Sequence, residues 1–312
     1  MKTQDGTLAY FVSQLDKLDA KLYEPLFNTT WSRDIQLRTD VNFANDSTSF
    51  VRGSWGGAGT GAANGLPFIS ANATNLEGVS IDGERVVLPV RLLGREISYS
   101  SVELDRSQLL GMNIDAQKFN ALNASYQLSI DRLVYVGTTE QTTNGQAVTG
   151  LLNNKDVTVG NVAKTFKEAT ADEILKAVND ALESAWKASG YNVCPDSLLL
   201  PPAQFALLAG RKVGENGDTS ILNFIKENSI CTAINGMPLS VQPVKWLGGL
   251  AGSNKDRMVA YSNAEDKVRF PLIPIRRENA YYHGINYIAP YIWGAGEVEF
   301  VYPETVYYAD GV

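Results

Sequence analysis

What this chain lacks narrows its chemistry before anything it contains does. His283 is the single histidine among 312 residues, so any Ser-His-Asp or Cys-His arrangement would have to use it. Beside Tyr281 and Tyr282 it reads instead as a hydrogen-bonded residue of a strand. Two cysteines, Cys194 and Cys231, are too few for a disulfide framework, and their spacing fits no CxxC redox or zinc pattern. They read as core thiols in a reducing compartment. One imidazole and two separated thiols disfavour a soft-ligand metal site. The DxDxDG calcium pattern is missing too, and the polar residues 263–267 read as a hairpin turn.

Positive charge is also short. Lys and Arg number 27 against 34 Asp and Glu, a net charge of −7, which disfavours a tight grip on phosphates. There is no run of eighteen apolar residues and no apolar stretch near the N-terminus, so the expectation is a soluble cytoplasmic product with no membrane span. Gly57, Gly59, Gly61 and Gly65 fall in a near miss to GxGxxG, but no buried strand delivers them to a helix, and no GK[ST] loop exists. Glu297 and Glu299, two residues apart, read as a solvated strand face. No catalytic, cofactor-binding or metal set emerges.

The remaining composition is that of a globular protein, with 44% hydrophobic and 20% charged residues. At this length roughly three quarters of the unfolded surface can be buried. The organising stretch is residues 115–137. Phe119, Leu122, Tyr126, Ile130 and Leu133 recur at steps of three and four, and Asn120, Asn123, Gln127 and Asp131 fill the other side. Asp115 can cap its start and Gly137 can end it. The result is a rod of roughly 30 Å.

Ahead of it, Leu8, Phe11, Val12, Leu15, Leu18 and Leu22 form an amphipathic stripe that Pro25 stops. From Asp34 the period becomes two, with Ile35, Leu37, Val41 and Phe43 alternating with polar residues. A glycine-rich stretch from Ser54 to Gly65, containing Trp55, follows. A second extended segment, residues 85–99, carries Leu88, Val90 and Leu92 on one face. These segments read as two arms of a long β-hairpin with a glycine-rich tip. An isolated hairpin is marginal in water, so its apolar face calls for a neighbouring copy.

After the rod, Thr170 and Glu173 form a capping box ahead of an apolar stripe at Ile174, Val178, Leu182 and Trp186, and Gly190 ends that helix. Ser197 to Leu200 reads as a buried strand running through Pro201 and Pro202 into a helix that stops at Gly210. A helix near 221–227 and strands near 239–244 and 257–261 complete a mixed α/β lobe. The last fifty residues are β-rich, and their aromatics, among them Tyr287, Tyr291, Trp293 and Phe300, read as a sheet packed on the long helix.

This order of elements, with CPDSLLLPPAQFALLAG and VEFVYPETVYYADG as its best local matches, resembles the major capsid proteins of tailed bacteriophages. The resemblance implies an α+β Hong Kong 97-like fold: an N-terminal arm (1–30), an extended β-hairpin loop (31–104), a spine helix and peripheral domain (105–149), an α/β axial domain (150–262) and return strands of the peripheral domain (263–312). It implies self-assembly into pentamers and hexamers that form an icosahedral shell around double-stranded DNA, with the DNA only loosely approached. Scaffolding, portal and decoration proteins are the further partners it implies, with assembly in the host bacterial cytoplasm and no enzymatic step or cofactor. Phe11, Leu15, Leu37, Val41, Phe43, Trp55, Leu88, Val90 and Leu92 are then the candidates for contacts between subunits. Residues 46–84 contain no lysine, which argues against a Lys-Asn cross-link at the loop tip. An encapsulin-type shell, a β-rich surface or adhesion protein, and a hydrolase with an oxygen-ligand metal site are the alternatives.

Overall fold

The computed structural model describes residues 27–57, 71, 79–103, 114–138, 148–213, 219–252 and 255–312. The expected N-terminal helix with Phe11 and Leu15, and most of the glycine-rich tip, lie outside the described residues. So does the side chain of Asp115.

The described strands run in order as β1 (Gln36–Arg38), β2 (Ser47–Gly57), β3 (Val79–Pro89), β4 (Arg91–Ser100), β5 (Gly137–Thr138), β6 (Val148–Thr149), β7 (Thr158–Asn161), β8 (Ser197–Leu200), β9 (Ser240–Pro243), β10 (Arg257–Tyr261), β11 (Val268–Arg277), β12 (Tyr281–His283), β13 (Asn286–Ala295), β14 (Glu299–Phe300) and β15 (Val306–Asp310). The principal helices are α1 (Ile114–Tyr135), α2 (Ala171–Ala188), α3 (Pro202–Gly210), α4 (Ile221–Asn228) and α5 (Ile230–Asn235).

Strand β13 organises the first sheet. Strand β4 pairs along its whole length, while β11 and β12 share its other edge. Helix α1 lies on this sheet as its apolar stripe requires: Tyr126 meets Trp293 edge-on at 5.3 Å, and Phe119 meets Tyr291 at 6.2 Å. Ile130 and Val134 are buried beneath. The helix stops at Tyr135, and Gly137 follows with φ +70°; a Cβ there would also sit 1.9 Å from the Val148 carbonyl oxygen, so only glycine fits.

The second sheet has the order β7-β15-β10-β8-β9. Its alternate residues enter two different cores. Leu199, Val259, Tyr261 and Tyr308 join the core shared with α1, whereas Leu198, Leu200, Met258 and Ala260 join the core of the helical lobe with Ile174, Val178 and Leu182. A strand buried on both faces must be apolar throughout, which explains why Ser197–Leu200 reads as an unbroken run. The Thr170 capping box at the start of α2 is present as expected, with both reciprocal bonds made.

Three expectations are corrected. The segment from Asp34 to Phe43 is not a hairpin arm: β1 runs parallel to β11, with Leu37 opposite Phe270. Ile35 and Val41 are buried, and Leu37 packs half-buried on the first core. A turn at residues 42–45, closed by the Asn42 and Asn45 side chains, then starts the real first arm. The hairpin is β2 with β3, from Ser47 opposite Pro89 to Gly57 opposite Val79. At Val90 the chain returns to the body as β4.

Cys194 and Cys231 are not free thiols: they are bonded to one another, their Cα atoms 5.7 Å apart. The chain crosses back over the loop before β8 at the start of α5, a meeting of distant segments that sequence spacing does not register.

Glu297 and Glu299 are not a solvated pair either. Glu299 is fully buried, and Glu297 accepts from the Thr149 amide at 2.9 Å and from its hydroxyl. A buried carboxylate is tolerable only when paired, and Glu299 has two arginines.

Candidate assembly surfaces

Pairing register decides which face of the β2–β3 hairpin meets the body. Thr48 opposite Leu88, Phe50 opposite Val86 and Arg52 opposite Glu84 share one face. Thr48 is buried there, Phe50, Val86 and Leu88 are half-buried, and the Arg52 guanidinium donates to the Phe300 carbonyl at 2.7 Å. The opposite face carries Val51, Ile81 and Val87, which are 66%, 76% and 52% exposed. Between them Gly53 pairs with Gly83, and Trp55 is in register with Ile81. Arg85, opposite Val51, stands on this face and donates to the Ser49 hydroxyl at 3.2 Å, so the three apolar side chains flank one charge; left uncovered, they forfeit the burial on which a hairpin depends. This face has the form of a docking surface.

The root of the hairpin is fixed by charge. Glu299 on β14 receives Arg38 at 3.0 Å and Arg269 at 2.7 Å. Arg38 also holds Asp40 at 2.7 Å, and this bond keeps the Asp40 carboxyl below the usual carboxylate range while raising the guanidinium. Arg276 lies over the half-buried Phe43 ring at 4.5 Å. The strands at the root are thus joined by paired ions and a cation–π contact.

A second anchor fixes the chain where it enters the described body. Asp131 of α1, fully buried, accepts the Thr30 amide at 2.9 Å and the Trp246 indole at 2.8 Å, with the Lys245 ammonium 3.1 Å away. Next to it Asp34 pairs with Arg33 at 2.6 Å and accepts from the Tyr135 hydroxyl. Burial, followed by the charge of Asp34, pushes the Tyr135 phenol above its ordinary value. Tyr261 donates to the Asp34 carbonyl at 2.6 Å. This network binds residues 30–35 to the long helix.

The sequence-derived contact candidates separate on these surfaces. Leu92 is exposed, Leu88 and Val90 are half-buried, and Trp55 lies in the hairpin. Leu37 and Val41 instead serve the subunit's own core. Val51, Ile81 and Val87 were not singled out by the sequence; in register with β2 they form the row, but Ser, Gly and Asp between them weaken the alternation.

A cavity of about 340 Å³ lies between edge strand β7 and α2, lined by Phe166, Ala177, Ala181 and Tyr307 with Lys164, Glu173, Lys176 and Asp180. Among the described residues no three His, Cys, Asp or Glu side chains come together to hold a metal, and no helix is long and apolar enough to cross a membrane. His283 is exposed on β12, paired with Asn286.

A family model described as "Major capsid protein" matches residues 62–312. Comparison with curated protein sequences finds no match. Among solved structures the chain is similar to the capsid of Myoviridae phage XM1, at 19% identity and TM-score 0.78 over 96% of this chain and 98% of that one. It is also similar to a chain of Mycobacterium phage Ogopogo, at 11% identity and TM-score 0.61 over 97% and 98%. A virus-like particle from Pyrococcus furiosus matches at 12% identity and TM-score 0.54 over 89% and 91%. The shared fold is the α+β Hong Kong 97-like arrangement.

Proposed function

This chain belongs to the major capsid protein family, and from that premise we propose that its copies join as pentamers and hexamers into an icosahedral shell around double-stranded DNA. It is a structural protein of a tailed-phage particle and forms the particle's wall. The observation that carries the assembly reading is the uncovered row of Val51, Ile81 and Val87 on a hairpin whose root is fixed by Glu299. Laid across an adjacent subunit, that row is covered, and the fixed root sets the direction in which it reaches.

Each such contact is weak alone. Several per subunit act together, because the first one formed raises the effective concentration for the next. Closed symmetry then limits the size of the assembly. The contact set we assign to neighbouring copies is Val51, Trp55, Ile81, Val87 and Leu92, with Phe11 and Leu15 of the arm; Leu88 turns to the subunit's own body with Thr48.

Within the 31–104 loop, the part we assign to reaching the neighbour is the β2–β3 hairpin, since β1 pairs with β11 and β4 with β13 of the same subunit. Residues 1–30 act as the arm, 105–149 with 263–312 as the peripheral domain, and 150–262 as the axial domain. Scaffolding, portal and decoration proteins are the partners this role calls for, with assembly in the bacterial cytoplasm. No catalytic step belongs to the role. The net charge of −7 suits a wall that releases DNA readily during packaging.

Sedimentation and negative-stain microscopy of the purified chain test this reading. Closed particles are expected, and deletion of residues 55–64 leaves a folded subunit with weakened assembly. Unchanged particle yield after that deletion overturns the loop assignment.

A further inference from the structure

The two cysteines join segments that the fold already holds together. Cys194 lies in the loop between α2 and β8, and Cys231 is the second residue of α5. Between them the chain forms β8, α3 and α4. Without the bond this arrangement still has its own supports. Strand β8 is paired on both edges, with β10 and β9. The Asn235 side chain of α5 donates to the Cys194 and Pro195 carbonyls at 3.3 and 3.4 Å. Both cysteines sit in the lobe's apolar core with Ala181, Leu182 and Ile225, where a thiol packs as a small hydrophobe. The two joined segments also carry exposed apolar residues, Tyr191 on one and Ile234 and Met237 on the other.

We propose that the Cys194–Cys231 bond is a lock closed by oxidation after the subunit has folded, raising the stability of the α/β lobe in the finished particle; its role in a particle rests on the shell reading above. The oxidant is a low-molecular-weight disulfide. Cys194, 7% exposed against 1% for Cys231, is the thiol it reaches. The Cys194 thiolate attacks one sulfur of the oxidant, forming a mixed disulfide and expelling the other half as a thiol. The Cys231 thiolate then attacks the Cys194 sulfur and releases the second half. The two protein thiols lose two protons and two electrons, and the oxidant becomes two thiols. Closing a ring across 37 residues restricts the unfolded chain far more than the already ordered fold. The bond therefore adds stability without changing the shape that assembles.

The test uses the full chain made in a reducing cytoplasm. Cells are lysed into an alkylating denaturant, and the thiols are counted by mass spectrometry. The expected result is two alkylated cysteines, and none after purified particles have been incubated with glutathione disulfide. Oxidation should raise the unfolding midpoint by on the order of 5 °C. A Cys194→Ser/Cys231→Ser variant should assemble to the same yield and lack that rise, and wild-type protein held in reductant should keep its circular dichroism. The proposal is overturned by a bond already present in the alkylated lysate, by loss of structure in reductant, or by equal midpoints with and without the bond. Should the chain form no particles, the shell reading fails by itself, and the midpoints of the lone subunit still decide the lock.

Discussion

Arg38 on β1 and Glu299 on β14 are 261 residues apart in the chain, and their side chains meet at 3.0 Å where the β2–β3 hairpin leaves the body. With Arg269 on the other carboxylate oxygen and Arg52 bound to the next residue's carbonyl, this pair sets where the hairpin is rooted. The buried carboxylate is compensated only while both arginines stay in place.

Glu299→Gln removes the charge that both guanidiniums share. Losing one partner of a buried ion pair costs about 3 kcal/mol, so the urea midpoint of the subunit should fall by that equivalent. Amide exchange in β2 and β3 should accelerate. A midpoint within error of wild type would show that the cluster does not anchor the root.

Asp131→Ala strips the acceptor from the Thr30 amide and the Trp246 indole together. These two partly buried donors, with the buried Trp31 amide that also reaches Asp131 at 3.3 Å, are left unpaired, which predicts a loss of about 3 kcal/mol. Chemical denaturation gives that number, and limited proteolysis should cut more readily near residue 30. Asp131→Asn keeps an acceptor oxygen and should lose less.

At the start of α2, Thr170→Ala removes one half of the capping box and should cost about 1 kcal/mol in thermal or urea unfolding. Glu173 has its carboxyl lowered by the Lys164 ammonium and the Thr170 amide. The effect lies on an exposed surface, so it should fade as salt is added.

Alkaline pH offers a further check. Burial holds the phenols of Tyr135, Tyr261 and Tyr308 above the ordinary tyrosine value. A folded pKa above the unfolded one means that the folded state keeps a proton the unfolded state has lost. The stability linked to it is therefore complete below about pH 10 and is lost as pH rises beyond it. Tyrosinate absorbance should show part of the tyrosines ionising only together with loss of structure. Smooth ionisation of all of them in a still-folded protein would contradict this.

How much could be read in advance follows the distance over which each signal acts. The α2 helix, with Thr170, Glu173 and its apolar stripe, and the passage from β8 through Pro201 and Pro202 into α3 were legible because neighbouring residues carry their signals. The long helix and its aromatic sheet were legible through one periodicity. The hairpin was misdivided because residues 34–43 alternate like any strand, and their true partner, β11, lies about 230 residues further on. The same reason hid the arginines that bury Glu299 and the fold that brings Cys231 to Cys194. Val51, Ile81 and Val87 form a row only once register is known, and β-branched residues scattered among serine and glycine do not announce it. The Asp131 anchor was read as part of a polar helix side, since nothing local distinguishes a solvated aspartate from one that holds Trp246.

In the proposed shell the exposed row of the hairpin is covered by another copy of this chain. Hydrogen–deuterium exchange, compared between assembled particles and dissociated subunits, measures that coverage at β2 and β3. Strong protection of Ser47–Gly57 and Val79–Pro89 is expected on assembly, lost together with assembly itself in an Ile81→Asn/Val87→Asn variant whose isolated subunit unfolds as wild type does. Equal exchange in the two states, or particles that form normally from that variant, would contradict it.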